Sequence, residues 1–255
     1  MILILFCIVL VGLAFMLLER VFPDQELPQV PGWWQRVILI NVLQLLVVYI
    51  GGLTWDRWFV GNSLFSLAAT PLLAQVAIAY VLITFVFYFW HRARHEIHFL
   101  WLTCHQLHHS PSRIEAITSF YKHPIELISN GILICFLNYG VLGISAEAGG
   151  WTTFVTAFAE FFYHMNIRTP HWIGYFLQRP EMHRIHHERG KHYSNFADLP
   201  LWDMLFGTYK NPVRFDGKCG FKPERELAFW EIMAFKNVNN PYPGKHRRDQ
   251  EGKNL

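Results

Sequence analysis

Fourteen histidines among 255 residues is far more than a chain of this size needs, and most of them fall in clusters. His91-Arg-Ala-Arg-His95 is an HxxxH, and His105-Gln-Leu-His108-His109 is an HxxHH. His164 stands in Phe-Phe-Tyr-His-Met-Asn, and His183-Arg-Ile-His186-His187 is a second HxxHH, followed by His192. Residues three or four apart share one face of a helix. An HxxxH therefore aims two imidazoles at one point. An HxxHH does the same, and its adjacent third imidazole can reach a neighbouring point. Imidazole suits iron, zinc, copper and nickel, and the count exceeds the four ligands of one tetrahedral zinc. The spacing predicts two metal ions. A set of solvated polar histidines would account for one HxxxH, which arises by chance, but not for two HxxHH motifs in one apolar chain.

Other chemistries lack their residues. His95-Glu96-Ile97-His98 approaches the metalloprotease motif HExxH, but the fifth position is Phe99. No GxSxG, GxGxxG or Walker motif occurs. Cys7, Cys104, Cys135 and Cys219 form neither a CxxC pair nor a disulfide framework, and read as packing residues. Among the carboxylates, Glu160 lies one helical turn before His164 inside an apolar run. An ionisable residue there is a functional candidate, to orient a ligand or to face a polar cavity. Glu96, directly after the HxxxH, is the other catalytic candidate. Glu126, Asp198 and Asp203, with Glu96, are candidates for holding ligands by hydrogen bonds from behind. His98 shares a stripe with His91 and His95 and reads as pocket-lining. His171 reads as structural and His246 as a tail residue.

These side chains need elements to hold them, and the composition says in what solvent. Apolar residues make up 52% and charged residues 16%, with 22 Phe and 10 Trp. A soluble domain carries about a quarter charged residues, so the deficit points to lipid. The net charge of +3 implies no nucleic-acid partner. Met1–Leu18 is apolar and lacks a basic leader or a small-residue cleavage site, which predicts an anchor helix. Val37–Leu53 and Leu72–Trp90 follow. The latter, 19 residues at about 1.5 Å each, gives roughly 28 Å, the thickness of a hydrocarbon layer. Ile125–Gly143 is a fourth run. Trp151–Tyr163 reads as the return arm of a hairpin whose tight turn is Ile144–Gly150. The expectation is an all-α membrane bundle of about four to five spanning or hairpin helices with a histidine-rich helical cap. Only Arg57 lies between the second and third spans, whereas fifteen Lys and Arg follow Met165. That bias places His91 onward, and the cap, on the cytoplasmic side. The polar tail from Asn237 is expected to be mobile.

The motifs from Tyr88 to Tyr209 resemble the fatty acid hydroxylase and sterol desaturase superfamily of membrane di-iron enzymes. The matching stretches are Trp90-His-Arg-Ala-Arg-His95, His105-Gln-Leu-His-His-Ser110, Lys122-His-Pro-Ile-Glu126, His164-Met-Asn166, His183-Arg-Ile-His-His187, Asn195-Phe and Leu201–Tyr209. The first ninety residues match only as membrane helices. The resemblance implies one such domain over residues 1–255, in a bacterial inner membrane or in the endoplasmic reticulum of a eukaryote. It implies two iron ions, with zinc able to occupy purified samples, and dioxygen as co-substrate. His91, His95, His105, His108, His109, His183, His186 and His187 are then ligands, joined by His164 and His192 because the family places histidines there. His123 is either a ligand or a support for one. The implied reaction hydroxylates a fatty acyl or sterol-like lipid. Desaturation and alkylglycerol ether cleavage are alternatives, and a membrane zinc hydrolase or metal-binding protein is the non-oxidative one. With no fused b-type cytochrome domain in the sequence, electrons are expected from a separate ferredoxin-like or b-type cytochrome donor.

Overall fold

Apolar runs without a nearby polar face become long helices, and these carry the site on their inner ends. The structure, a computed structural model, describes residues 2–239. Helix α1 (Ile2–Val21) and helix α2 (Trp33–Leu53) are followed by the short α3 (Asp56–Phe59), the long α4 (Leu72–Glu96) and one turn, α5 (His98–Leu100). A π-turn, Trp101–His105, and a 3-10 turn, Ala116–Phe120, lead to α6 (Pro124–Cys135), which ends in a second π-turn, Phe136–Val141. Helix α7 (Ala146–His164) completes the base. The cap holds α8 (Pro180–His186), α9 (Pro200–Leu205), α10 (Pro223–Glu226) and α11 (Phe229–Met233). Among the described residues the only β-pairing is the bridge between Glu188 and Cys219. None of the four cysteines forms a disulfide.

Among the described residues four segments are long and apolar enough to cross a membrane: Ile2–Val21, Trp33–Phe59, Leu72–Glu96 and Pro124–Val141. Their outward faces carry exposed Leu, Ile, Val and Phe, the surface that lipid covers. Helix α7 is not among the four, yet it is the hub, packed against α4, α1 and α8. It begins earlier than the sequence suggests. Ser145 caps it by accepting from Ala148 N at 3.1 Å, so Gly149 and Gly150 are helical and the turn is shorter than Ile144–Gly150. The two glycines serve close packing instead. A methyl at Gly149 would overlap the Tyr139 hydroxyl, and one at Gly150 would overlap Ile4.

The cap is fastened to the base by buried polar bonds and by one apolar cluster. Glu19, fully buried at the end of α1, accepts from the backbone N–H groups of Ala116 and Asn166, both at 2.9 Å. Arg184 of α8 pairs with Asp24 in the α1–α2 connection. Trp33, Val37 and Ile40 of α2 pack with Trp101, Leu107, Tyr121, Phe221, Phe229 and Ile232. Of the expected tail, Val238 donates from its N–H to the Gln106 side chain, whose amide also donates to the carbonyl of the preceding Lys236. Residues from 240 on, with His246, lie outside the described residues.

Candidate metal centre

Helix α4 delivers His91 and His95 one turn apart. The π-turn then reverses the chain, with Gln106 N–H donating to Trp101 O at 2.8 Å. π-turns occur preferentially where a helix must re-aim a side chain, and this one aims His105. Helix α7 brings His164 on its last turn. Helix α8, started by Pro180 at its first position, brings His183, His186 and, at its end, His187.

These nine imidazoles converge as two groups whose ligand nitrogens lie within 4.8 Å of one another. One group is His91, His95, His105, His109 and His186; the other is His108, His164, His183 and His187. Each HxxHH contributes to both. The i,i+4 pair of the first motif, His105 and His109, enters one group and His108 the other. The second motif is mirrored, with His183 and His187 in one and His186 in the other. The stacked rings of His109 and His187, centroids 4.2 Å apart, join the two groups.

Most rings are fixed by the nitrogen that faces away from the group. His91 Nδ1 donates to Phe196 O at 2.7 Å, His186 Nδ1 to Ser194 O at 2.9 Å and His164 Nδ1 to Glu160 O at 2.7 Å. His105 Nδ1 meets the Glu126 carboxylate at 3.1 Å, which also pairs with Arg94. A ring that donates from Nδ1 presents a lone pair at Nε2. Those lone pairs face other ring nitrogens: His105 and His186 Nε2 each lie 3.1 Å from His109 Nε2, and His164 Nε2 lies 2.9 Å from His183 Nε2, itself 3.0 Å from His187 Nε2. His91 Nε2 and both nitrogens of His95 are buried with no hydrogen-bond partner. Lone pairs crowded in this way repel unless a cation lies among them, so the donor set fits metal ions. Burial, reinforced by the other imidazoles of the site and, at His105, by Arg94, holds His105, His108, His109, His183 and His187 well below the ordinary imidazole range. Burial pushes His186 down to about 3 against the opposing bond to Ser194. Neutral imidazole is the form that binds metal.

The remaining expected residues have distinct places. His192 donates from Nδ1 to His186 O, and its Nε2 has no hydrogen-bond partner; its ring lies 4.7 Å from that of His109, beside the first group and not in it. His123 is outside both groups. Its Nδ1 accepts from Ile125 N as the cap of α6, and its Nε2 meets Met233 O at 3.3 Å. Glu96 pairs with Arg92 at the surface of α4, 2.7 Å away, and joins neither group. Glu160 holds His164 through its backbone carbonyl, while its side chain pairs with Lys122 at 2.5 Å. Glu126 supports His105 directly. Asp203 acts one step back, accepting from Phe196 N and Ala197 N at 2.8 and 3.0 Å, and so fixes the carbonyl that holds His91. Asp198 accepts from the Tyr163 hydroxyl at 3.0 Å. Three contributors carry no sequence signal: the carbonyls of Phe196 and Ser194, and Gln178, whose amide lies 3.2 Å from His183 Nδ1. Trp101, fully buried, closes one side against His95, His109 and His192.

Comparison with known proteins agrees with this geometry. The chain is 32% identical over 149 residues to ornithine lipid hydroxylase OlsE of Rhizobium tropici, covering 56% of this chain and 44% of that protein. It is 26% identical over 140 residues to human alkylglycerol monooxygenase, covering 52% and 30%. It is 26% identical over 217 residues to a cholesterol 25-hydroxylase-like protein of Danio rerio, covering 77% and 84%. The chain thus spans less than half the length of the first two. No solved structure matches. The profile of the fatty acid hydroxylase family matches residues 76–208, just over half of the chain and every histidine of both groups. The chain belongs to the fatty acid hydroxylase family.

Proposed function

We propose that this chain is a membrane-bound, dioxygen-dependent hydroxylase that oxidises a C–H bond of a lipid at two iron ions on the cytoplasmic side of the membrane. One observation carries the reading: nine imidazoles, eight of them buried and His91 half-buried, in two adjoining groups beside the end of the apolar helix α4. His91, His95, His105, His109 and His186 would hold one ion, and His108, His164, His183 and His187 the other. The relatives named for lipid hydroxylation and monooxygenation support the substrate class.

Iron is preferred to zinc because dioxygen activation needs an ion that changes oxidation state, which zinc does not do. Bound iron would supply one-electron redox chemistry and dioxygen activation. The protein's own residues do the rest. Phe196, Ser194 and Glu160 carbonyls and the Glu126 carboxylate fix the Nδ1–H tautomers, which aims the lone pairs. Trp101 and Phe196 exclude water. Electrons come from a separate ferredoxin-like or b-type cytochrome donor.

The test is reconstitution of the purified chain with ferrous iron and a reductant, followed by isotopically labelled dioxygen with membrane lipids as substrate. The expected result is labelled oxygen in a hydroxylated lipid. Activity of a zinc form alone, without dioxygen, would replace this reading with a hydrolase. A zinc-containing preparation by itself would not, because imidazole sites take up zinc readily.

A further inference from the structure

A cavity of about 750 Å³ opens among α1, α2, α6 and α7, within the size range of lipid and cofactor sites. Its walls are apolar and run the length of α7 from Ala146 to Phe161, roughly 22 Å at helical rise. Leu3, Trp55 and Trp151 line one end. Phe120, Lys122, Glu160 and Phe161 line the other, the end next to the histidines. No histidine lines it. The Lys122–Glu160 pair joins cavity to metal centre: both side chains line the cavity, and the Glu160 carbonyl accepts from His164 Nδ1.

A buried ion pair is an unusual floor for an apolar cavity. An alkyl terminus seated on it would keep both charges desolvated and give nothing in return. Lys122 Nζ has three donors and one hydrogen-bonded partner, Glu160 Oε2. The pair carries no net charge, so a free carboxylate would gain Lys122 but abut the Glu160 carboxylate. A neutral linkage oxygen, as in an ester, amide or ether, can accept from Lys122 without that repulsion.

We infer that Lys122, held by Glu160, is the positioning residue that binds the uncharged linkage of an acyl or alkyl lipid, with the chain directed up the cavity and the carbons next to the linkage set beside the metal centre. This rests on the lipid-oxidising reading for its consequence, since oxidation then falls near the linkage and not near the chain end. Binding itself requires no metal.

The experiment uses the full chain in detergent, free of metal and oxygen, with monoacylglycerols that carry a photoreactive diazirine beside the ester or near the methyl terminus. After irradiation, crosslinked peptides are identified by mass spectrometry. The ester-proximal probe should label the peptides holding Lys122 and Phe161. The terminal probe should label those holding Leu3 and Trp151. Lys122→Met should weaken retention of the monoacylglycerol about tenfold, the loss of one charge-assisted hydrogen bond, while Lys122→Arg retains it. The free fatty acid should bind the wild-type chain less tightly than its glyceride. Reversed labelling, or a free acid bound as tightly as the glyceride, would overturn the inference even if Lys122→Met fails to fold. Correct labelling in a protein that never oxidises lipid would overturn the hydroxylase reading alone.

Discussion

At the scale of single residues, the two HxxHH motifs interlock and do not build one ion site each. Adjacent histidines therefore differ in what their loss removes. His186→Ala is expected to lose the ion of the first group and keep that of the second, and His183→Ala to do the reverse. Metal analysis of the purified variants reads this directly, and activity should vanish in both while the apolar helices still insert. Loss of both ions in either variant would show that the groups fill only together. His123→Ala should leave both ions in place, because its ring caps α6 and meets Met233. Its cost is the cap alone, about 1 kcal/mol, visible as a lowered melting temperature. The Glu126 carboxylate meets the back of a ligand ring, at His105 Nδ1, beside the Arg94 guanidinium. Glu126→Gln should lower metal affinity roughly 10- to 100-fold, the usual effect of loosening a ligand's outer partner.

At the scale of elements, what could be read from the sequence was whatever repeats with a helical period. The spans around α1, α2 and α4 and the grouping of His91 with His95 follow from spacing alone. So did the reach of the third HxxHH imidazole to a neighbouring point. Periodicity is silent where a turn departs from it. The π-turn Trp101–His105 aims His105 by leaving the helical period, and the loop Ser194–Ala197 fixes the rings of His91 and His186 through backbone carbonyls that every residue type shares. His123 and Glu96 stood beside the motifs in sequence, but α6 and the outer face of α4 carry them away from the groups. The glycines of α7 misled for a related reason. Gly149 and Gly150 carry the composition of a turn, yet they serve close approach between helices. Gly149→Val would force its branches into the Tyr139 ring. Overpacking of this kind costs about 1–3 kcal/mol. Thermal unfolding in detergent should show the loss, and Gly190→Ala, where nothing lies nearby, serves as the comparison, its only penalty being a positive φ of 75°.

At the scale of the whole molecule, base and cap depend on different forces, and that difference can be measured. The base is held by apolar helices that lipid keeps in place whatever the metal content. The cap is a set of short helices, α8 to α11, joined by irregular chain, and it brings His183, His186 and His187 against the six imidazoles that precede it, ring nitrogen against ring nitrogen. Filled sites turn the repulsion between their lone pairs into attraction. An ion present at a thousand times its dissociation constant stabilises the bound form by about 4 kcal/mol, a large share of the stability of a small folded unit. Chelation should therefore loosen the cap and spare the base. The reading proposed above places the cap on the cytoplasmic side, with the basic residues that follow Met165, so one experiment tests both properties. Protease added to inside-out membrane vesicles should cleave the chain beyond Met165 slowly when ferrous iron is present and quickly after chelation, leaving a protected fragment that contains α1 to α7. Right-side-out vesicles should resist cleavage there in either state, and re-adding ferrous iron should restore protection in the inside-out ones. Cleavage of the cap in right-side-out vesicles would reverse the orientation, and cleavage that ignores the metal would show that the cap stands without it.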